Sequence, residues 1–322
     1  MKKRKIGNSD LHVFPIGLGT MGMSEFYGET NDEQSISTIH KAIELGVDFF
    51  DTADMYGWGH NEELLGKALK GKFCQIILAT KFAVLRGPKG EFLGVSGKPA
   101  YVKQACEASL KRLGTDTIDL FYCHRVDPQV PIEETVGAMA ILVKEGKVRY
   151  LGLSEVKGET LKRAHSVHPI SAVQSEYSIW TRDIEEANMK ECRELGVSTV
   201  AYSPLGRGVL TGKFNKIEDP HDFRNYLPRM EAENFETNKQ IVRKVEEIAE
   251  SKNVKASQIA LAWVLAKGED IIPIPGTKRE KYLIENLEAL NIELSHNEIY
   301  ELDQLYRLVK GSRYSDMSLT LQ

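Results

Sequence analysis

Four residues whose side chains give, take or steady protons stand at suggestive intervals along this chain: Asp51, Tyr56, Lys81 and His124. Each follows or ends a short apolar run, so their chemistry depends on how those runs are arranged. Taken singly each has a structural explanation: an anchoring Tyr in a loop, a Lys–Asp pair, a His satisfied at a strand end. A second grouping takes Asp51, Asp54, His60 and His124 as oxygen and nitrogen ligands of a metal. Lys81 beside Asp51 would then be a competing cation, which weighs against it.

The elements that must position these residues alternate. Apolar, β-forming runs lie at 15–20, 49–53, 76–82, 118–124, 148–154, 172–175, 198–203 and 270–275. Between them stand helical patterns at 32–45, 62–69, 99–113, 132–145 and 184–195, with a further helix near 236–251. Gly46, Gly114 and Gly196 follow the last helical turns, as C-capping glycines do. Residues 4–14 read as a small hairpin through Gly7-Asn8-Ser9. Roughly eight βα units imply a parallel sheet with helices outside, either closed as a (β/α)8 TIM barrel or open and doubly wound. No linker or composition shift divides residues 1–322, so a single domain is expected, with a long loop after strand seven at about 204–234. In a barrel the C-terminal strand ends converge on one face, which makes a spatial cluster of Asp51, Tyr56, Lys81 and His124.

Gly17-Leu18-Gly19-Thr20-Met21-Gly22 imitates a dinucleotide fingerprint, with Asp51 at the end of the next strand. The third glycine of that motif should open a helix so that the helix N-terminus meets the pyrophosphate. Here eight further residues precede a helix whose N-cap falls at Asn31 or Asp32, and the acidic residue lies too far on. The motif therefore argues against an open dinucleotide-binding sheet.

The chain has 322 residues, 42% hydrophobic and 27% charged, with a formal net charge of −4, an ordinary globular balance that gives no electrostatic reason to expect nucleic acid or a membrane surface. Lys2-Lys3-Arg4-Lys5 reads as a solvated basic end; no apolar run follows it, so it is not read as a secretory signal. Cys74, Cys106, Cys123 and Cys192 lack metal-type spacing and read as reduced thiols of a cytoplasmic protein.

Read together, the motifs resemble the aldo-keto reductase family. They are Gly17-Leu18-Gly19-Thr20, Phe50 to Gly57 (FDTADMYG), Ala79-Thr80-Lys81, Asp119 to His124 (DLFYCH), Tyr150 to Ser154 (YLGLS), Ala201 to Gly206 (AYSPLG), and Ile274-Pro275-Gly276-Thr277 with Glu285-Asn286. They occur in family order and span nearly the whole chain. The resemblance implies an NADPH-dependent oxidoreductase that reduces an aldehyde or ketone, an alcohol dehydrogenase of the NADP+ type. It makes Tyr56 the proton donor, Lys81 the cation that lowers the phenol's pKa, Asp51 the residue aiming Lys81, and His124 the group orienting the carbonyl oxygen.

The same resemblance places the nicotinamide against Ser154, Gln174 and Tyr202. Ser203, Leu205, Gly206 and Gly208 would follow the pyrophosphate, with Arg207 as a countercharge. Gly276, Thr277, Lys278 and Arg279 would hold the adenosine phosphate, favouring NADPH over NADH, and Glu285 and Asn286 would meet the adenine. Glu155 stands where many members carry Asn, and Tyr282 where many carry Arg. Met23, Tyr27, Trp58 and Phe82, with Phe26 and Tyr226, are candidate pocket residues for an apolar or aromatic carbonyl substrate; Arg224 and Arg229 are candidate anion contacts. The protein is expected as a monomer or small homo-oligomer without a metal. The alternative is an NADPH-binding, redox-sensing regulatory subunit like the family's channel-associated members.

Overall fold

The computed structural model describes residues 2–214, 217, 219 and 222–322. Eight parallel strands form one sheet in sequential order: β1 (Leu18–Gly19), β2 (Phe49–Asp51), β3 (Ile77–Phe82), β4 (Ile118–Cys123), β5 (Val148–Ser154), β6 (Ile170–Glu176), β7 (Ser198–Tyr202) and β8 (Ile271–Pro273). The sheet closes on itself. A parallel bridge joins Gly19 to Gly276, and the Gly17 amide donates to the Pro273 carbonyl at 2.9 Å. The fold is the (β/α)8 barrel.

The glycines of the dinucleotide-like motif serve this closure. A Cβ on Gly19 would stand 2.8 Å from the Ile274 carbonyl oxygen, so only glycine allows the first and last strands to meet. The third glycine lies in a short helical turn, Met21–Met23, and the first long helix begins only at Asp32.

Helices α1 (Asp32–Glu44), α2 (His60–Ala68), α3 (Pro99–Leu113), α4 (Ile132–Lys144) and α5 (Gly158–Val167) follow the first strands on the outside. Asn31 caps α1, its side chain accepting from the Gln34 amide, and the acidic Asp32 and Glu33 suit the positive end of the helix dipole. Gly46, Gly114 and Gly196 all take left-handed conformations after their helices, as the sequence implied.

The helix expected over 184–195 breaks at Asn188 into Ile184–Ala187 and Met189–Leu195. The buried Asn188 side chain donates to the Val156 carbonyl at 2.6 Å, and its backbone leaves helical angles to do so. The helix expected near 236–251 begins earlier, as α6 (Ala232–Ser251), and is followed by α7 (Ala256–Ala266) before β8. After β8 come α8 (Glu280–Leu287) and α9 (His296–Gln304). The long segment after β7 is built from short helical turns, and part of it lies outside the described residues.

The barrel interior is packed by Phe49, Leu120, Tyr122, Ala172, Val200 and Ile272. Its N-terminal end is plugged by Ile6, Leu11 and Val13 of the expected hairpin, Arg4–Lys5 with His12–Val13. The basic N-terminal run is tied down rather than merely solvated. Lys2 pairs with Glu269, Lys3 with Asp48, and Arg4 donates to the carbonyls of Leu265, in the last turn of α7, and Gly268, just past it. A second hairpin, Val84–Arg86 with Phe92–Val95, rises from the end of β3 over the opposite face.

Candidate active site

The barrel register brings the four proton-handling residues together. Asp51 ends β2, Lys81 lies one residue before the end of β3, and the His124 amide bonds the Phe82 carbonyl just past β4. Tyr56 follows β2 in a tight turn where Gly57 and Trp58 both take positive φ. Lys81 is fully buried, and its ammonium donates to three oxygens: Asp51 Oδ1 at 2.5 Å, the Thr52 carbonyl at 2.7 Å and Tyr56 Oη at 3.3 Å. That uses all three ammonium hydrogens. The second Asp51 oxygen accepts from Gln174 Nε2 at 2.7 Å, so Gln174 steadies the carboxylate as well as lining the cleft.

Burial works against the Lys81 ammonium, but Asp51 and Tyr56 outweigh it and hold its pKa above the ordinary lysine value. Tyr56 does not behave as the sequence implied. Burial raises its phenol above the usual value, and the opposing pull of Lys81 does not overcome that desolvation. The phenol is therefore fully protonated near neutral pH. Burial, with Arg125 and Lys81 adding repulsion, pushes His124 well below the usual imidazole value, so its ring is neutral. The two rings meet edge to face at 5.9 Å between centroids, and His124 Nδ1 is buried without a hydrogen-bond partner among the described residues.

These groups open into a cleft of about 760 Å³ at the C-terminal face of the barrel. Its wall includes Asp51, Tyr56, His124, Gln174, Tyr202, Ser203, Leu205, Arg207 and Gly208, and it continues to Gly276, Thr277, Lys278, Arg279, Glu285 and Asn286. Ser154 and Gly206 stand just behind it. The Ser154 hydroxyl accepts from Arg125 at 3.1 Å, and Gly206 packs on Trp180, where a Cβ would come within 2.7 Å of the indole.

Arg207 is not the free countercharge expected of it. It donates to Glu176 at 2.8 Å and to Tyr314 at 2.7 Å, and Glu176 ends the long β6 beside it. Lys278 and Arg279 immediately precede α8, whose N-terminus faces the cleft's far end. The Lys278 ammonium donates to the Tyr27 carbonyl at 2.8 Å and to the Glu29 carbonyl, and its pKa is lowered by burial and by Arg279. Glu285 accepts from Ser257 at 2.8 Å and Lys213 at 3.0 Å. Tyr282 lies under both Lys213 and Arg279, an aromatic platform in place of the family's usual cation.

Of the expected pocket and anion-contact residues, Phe26, Tyr27 and Arg224 line the cleft and the others do not. Met23 is buried in the core, and Phe82 stacks on Phe121 at 4.9 Å behind the strand. Trp58 is half exposed outside, with Arg86 over its ring and its Nε1 donating to Gly87. Tyr226 is exposed, Arg224 pairs with Asp222 at 2.7 Å, and Arg229 is buried against Thr181. Several cleft residues lie outside the sequence-based expectations, among them Arg125 and Tyr314 at the reacting end and Arg86, Lys213 and Phe223 in the surrounding wall. Arg125 directly follows His124, so its place beyond a strand end was a usable signal; the C-terminal Tyr314 had none.

Among the described residues, no group of three or more His, Cys, Asp or Glu is placed to hold a metal ion, and no helix is long and apolar enough to cross a membrane.

The aldo/keto reductase family model matches residues 15–307. The chain is 45% identical over 320 residues to the aldo-keto reductase yakc [NADP(+)] of Schizosaccharomyces pombe, covering 97% of this chain and 94% of that protein. Among solved structures it resembles the glycerol dehydrogenase AKR11B4 of Gluconobacter oxydans, with TM-score 0.86, 28% identity and 98% of both chains covered. It also resembles an aldo/keto reductase from Klebsiella pneumoniae solved with NADP and acetate, with TM-score 0.77, 27% identity and coverage of 98% of this chain and 99% of that one. Strand-end geometry and sequence likeness over nearly the full length agree: the chain belongs to the aldo/keto reductase family.

Proposed function

We propose that this protein is a single-domain, NADPH-dependent reductase of aldehydes or ketones, an alcohol dehydrogenase of the NADP+ type, with Tyr56 as its proton donor. The observation that carries the reading is the Lys81 ammonium, held between the Asp51 carboxylate and the Tyr56 hydroxyl at one end of the cleft. The other end carries Lys278 and Arg279 at the start of α8, a receptor suited to a phosphate group.

The residues present fit the cofactor. Lys278 and Arg279 with Gly276 and Thr277 would hold the 2′-phosphate, and Glu285 and Asn286 the adenine. Ser203, Leu205, Gly206 and Gly208 would follow the pyrophosphate; Ser203, Gly206 and Gly208 adopt positive φ, and small residues let backbone amides approach an anion. Tyr202, Gln174 and Ser154 would border the nicotinamide, with Arg207 steadying the wall through Glu176. NADPH, when bound, supplies the hydride that the carbonyl carbon accepts.

Lys81 donates to a lone pair of Tyr56 Oη, which leaves the phenol hydrogen free to face the cleft. Tyr56 gives that proton to the carbonyl oxygen, and Lys81 stabilises the phenolate left behind. Asp51, itself held by Gln174, keeps Lys81 charged and aimed. The neutral His124 donates a hydrogen bond to the same carbonyl oxygen as its charge develops.

The test is loss of NADPH absorbance with a panel of aldehydes and ketones, beside NADH and beside Tyr56→Phe. Turnover that falls by at least about 100-fold in the variant, with NADPH still bound, supports the reading. NADPH binding without turnover of any carbonyl would move the assignment to a redox-sensing subunit.

A further inference from the structure

Arg125 stands in the cleft wall beside Tyr56 and His124, at the reacting end. Its guanidinium makes two hydrogen bonds, both from Nη1: to the His124 carbonyl at 2.7 Å and to Ser154 Oγ at 3.1 Å. Nε and Nη2 make none, and no carboxylate pairs with it, among the described residues. The other arginines near this end of the cleft are all paired: Arg86 with Glu25 at 2.7 Å, Arg207 with Glu176 at 2.8 Å and Arg224 with Asp222 at 2.7 Å. Glu155, one of the groups that keep Arg125 protonated, has its own partner in Arg313 at 2.5 Å.

A cation that loses water when the cleft fills costs free energy unless an anion arrives with the ligand. The cofactor's phosphates would be met elsewhere, by the backbone turn after β7 and by Lys278 and Arg279. Arg125 instead borders the two residues that would hold the substrate carbonyl. A guanidinium anchored through one nitrogen, with its remaining donors unspent, suits the paired oxygens of a carboxylate.

We propose that Arg125 determines specificity by pairing with a carboxylate carried on the substrate near its carbonyl, so that the preferred substrates are oxo-acid anions. This rests on the reductase reading and narrows its substrate class.

The experiment compares 3- and 4-carboxybenzaldehyde with their methyl esters as NADPH-dependent substrates of the wild type, Arg125→Met and Arg125→Lys. In Arg125→Met the acid-to-ester ratio of kcat/KM is expected to fall roughly 10- to 100-fold, chiefly through KM of the acids. Arg125→Lys should recover part of that loss. An unchanged ratio, with the esters still reduced, overturns the proposal. If the wild type reduces neither acids nor esters nor any other carbonyl, the reductase reading itself has failed, which is a different result. A wild-type measurement needs no variant to fold: benzoate should compete with a neutral aldehyde at least tenfold better than benzamide, and equal inhibition overturns the assignment.

Discussion

Glu155 and Arg313 meet as an ion pair buried on both sides, 2.5 Å apart, joining the end of β5 to the C-terminal tail. Glu155 holds a positive φ, and its other oxygen accepts from the Tyr202 hydroxyl at 2.9 Å. The tail is fixed here a second time, since the Gln322 amide bonds the Glu155 carbonyl and the Lys157 amide bonds the Gln322 carbonyl. Tyr314 is thereby placed within 3.2 Å of Tyr202 Oη, on the cleft wall.

Removing one partner leaves the other charge buried, and without Glu155 the nearest carboxylate to Arg313 is Asp183 at 3.7 Å. Arg313→Met or Glu155→Gln should each destabilise the fold by about 3–5 kcal/mol in urea unfolding, and Glu155→Leu with Arg313→Met should recover much of it. A loss under about 1 kcal/mol in both single variants would show that water reaches the pair.

Lys81→Met should act on the proton rather than on substrate binding. Reduction is expected to lose roughly 100-fold in kcat with the aldehyde KM little changed, because Lys81 touches Tyr56 and not the cleft. The reverse reaction needs the phenolate, so alcohol oxidation by the wild type should rise with pH. Without Lys81 the phenol pKa climbs further, and that rise should move to higher pH. A profile that stays in place, or moves toward acid, would remove Lys81 from the proton path.

The barrel was legible because each strand buries a continuous apolar run and each helix carries its own periodicity, both local properties. Asp51, Lys81 and His124 were legible through the same logic, since barrel closure turns strand ends into a ring. Three features were not. The sign of the Tyr56 shift depends on how deeply the loop after β2 is buried, which the sequence does not display. Arg207 looked like a free cation because its partner Glu176 lies 31 residues earlier. Glu155 and Arg313 are 158 residues apart in a tail without periodicity, so no local signal announces their contact.

His124 should leave a mark on acid stability. Its folded pKa is depressed below 6.5, first by burial and then by Arg125 and Lys81. Below pH about 6.5 the unfolded chain takes up a proton at this site that the folded chain refuses until a lower pH. Stability contributed here is therefore full above pH 6.5 and falls as pH drops, by up to about 1.4 kcal/mol per pH unit. Unfolding measured at pH 7.5, 6.5 and 5.5 should show a steeper loss in the wild type than in His124→Gln. Equal slopes would mean that the imidazole takes up its proton in the folded protein as readily as in the unfolded chain.

Lys278 and Arg279 divide the work of cofactor choice in a way that two substitutions can separate. Arg279 makes no ion pair among the described residues, and its guanidinium lies 5.9 Å from the Tyr282 ring centroid. Arg279→Ala should therefore raise KM for NADPH about 10-fold or more and leave NADH nearly unaffected, because only NADPH carries the phosphate it would meet. Lys278 also fastens the carbonyls of Tyr27 and Glu29 in the loop after β1. Lys278→Ala should consequently weaken both cofactors by loosening that wall of the cleft, with NADPH losing more. Added salt should weaken NADPH binding to the wild type more than to Arg279→Ala. If Arg279→Ala raised both KM values equally, the phosphate would have to be held elsewhere along the cleft.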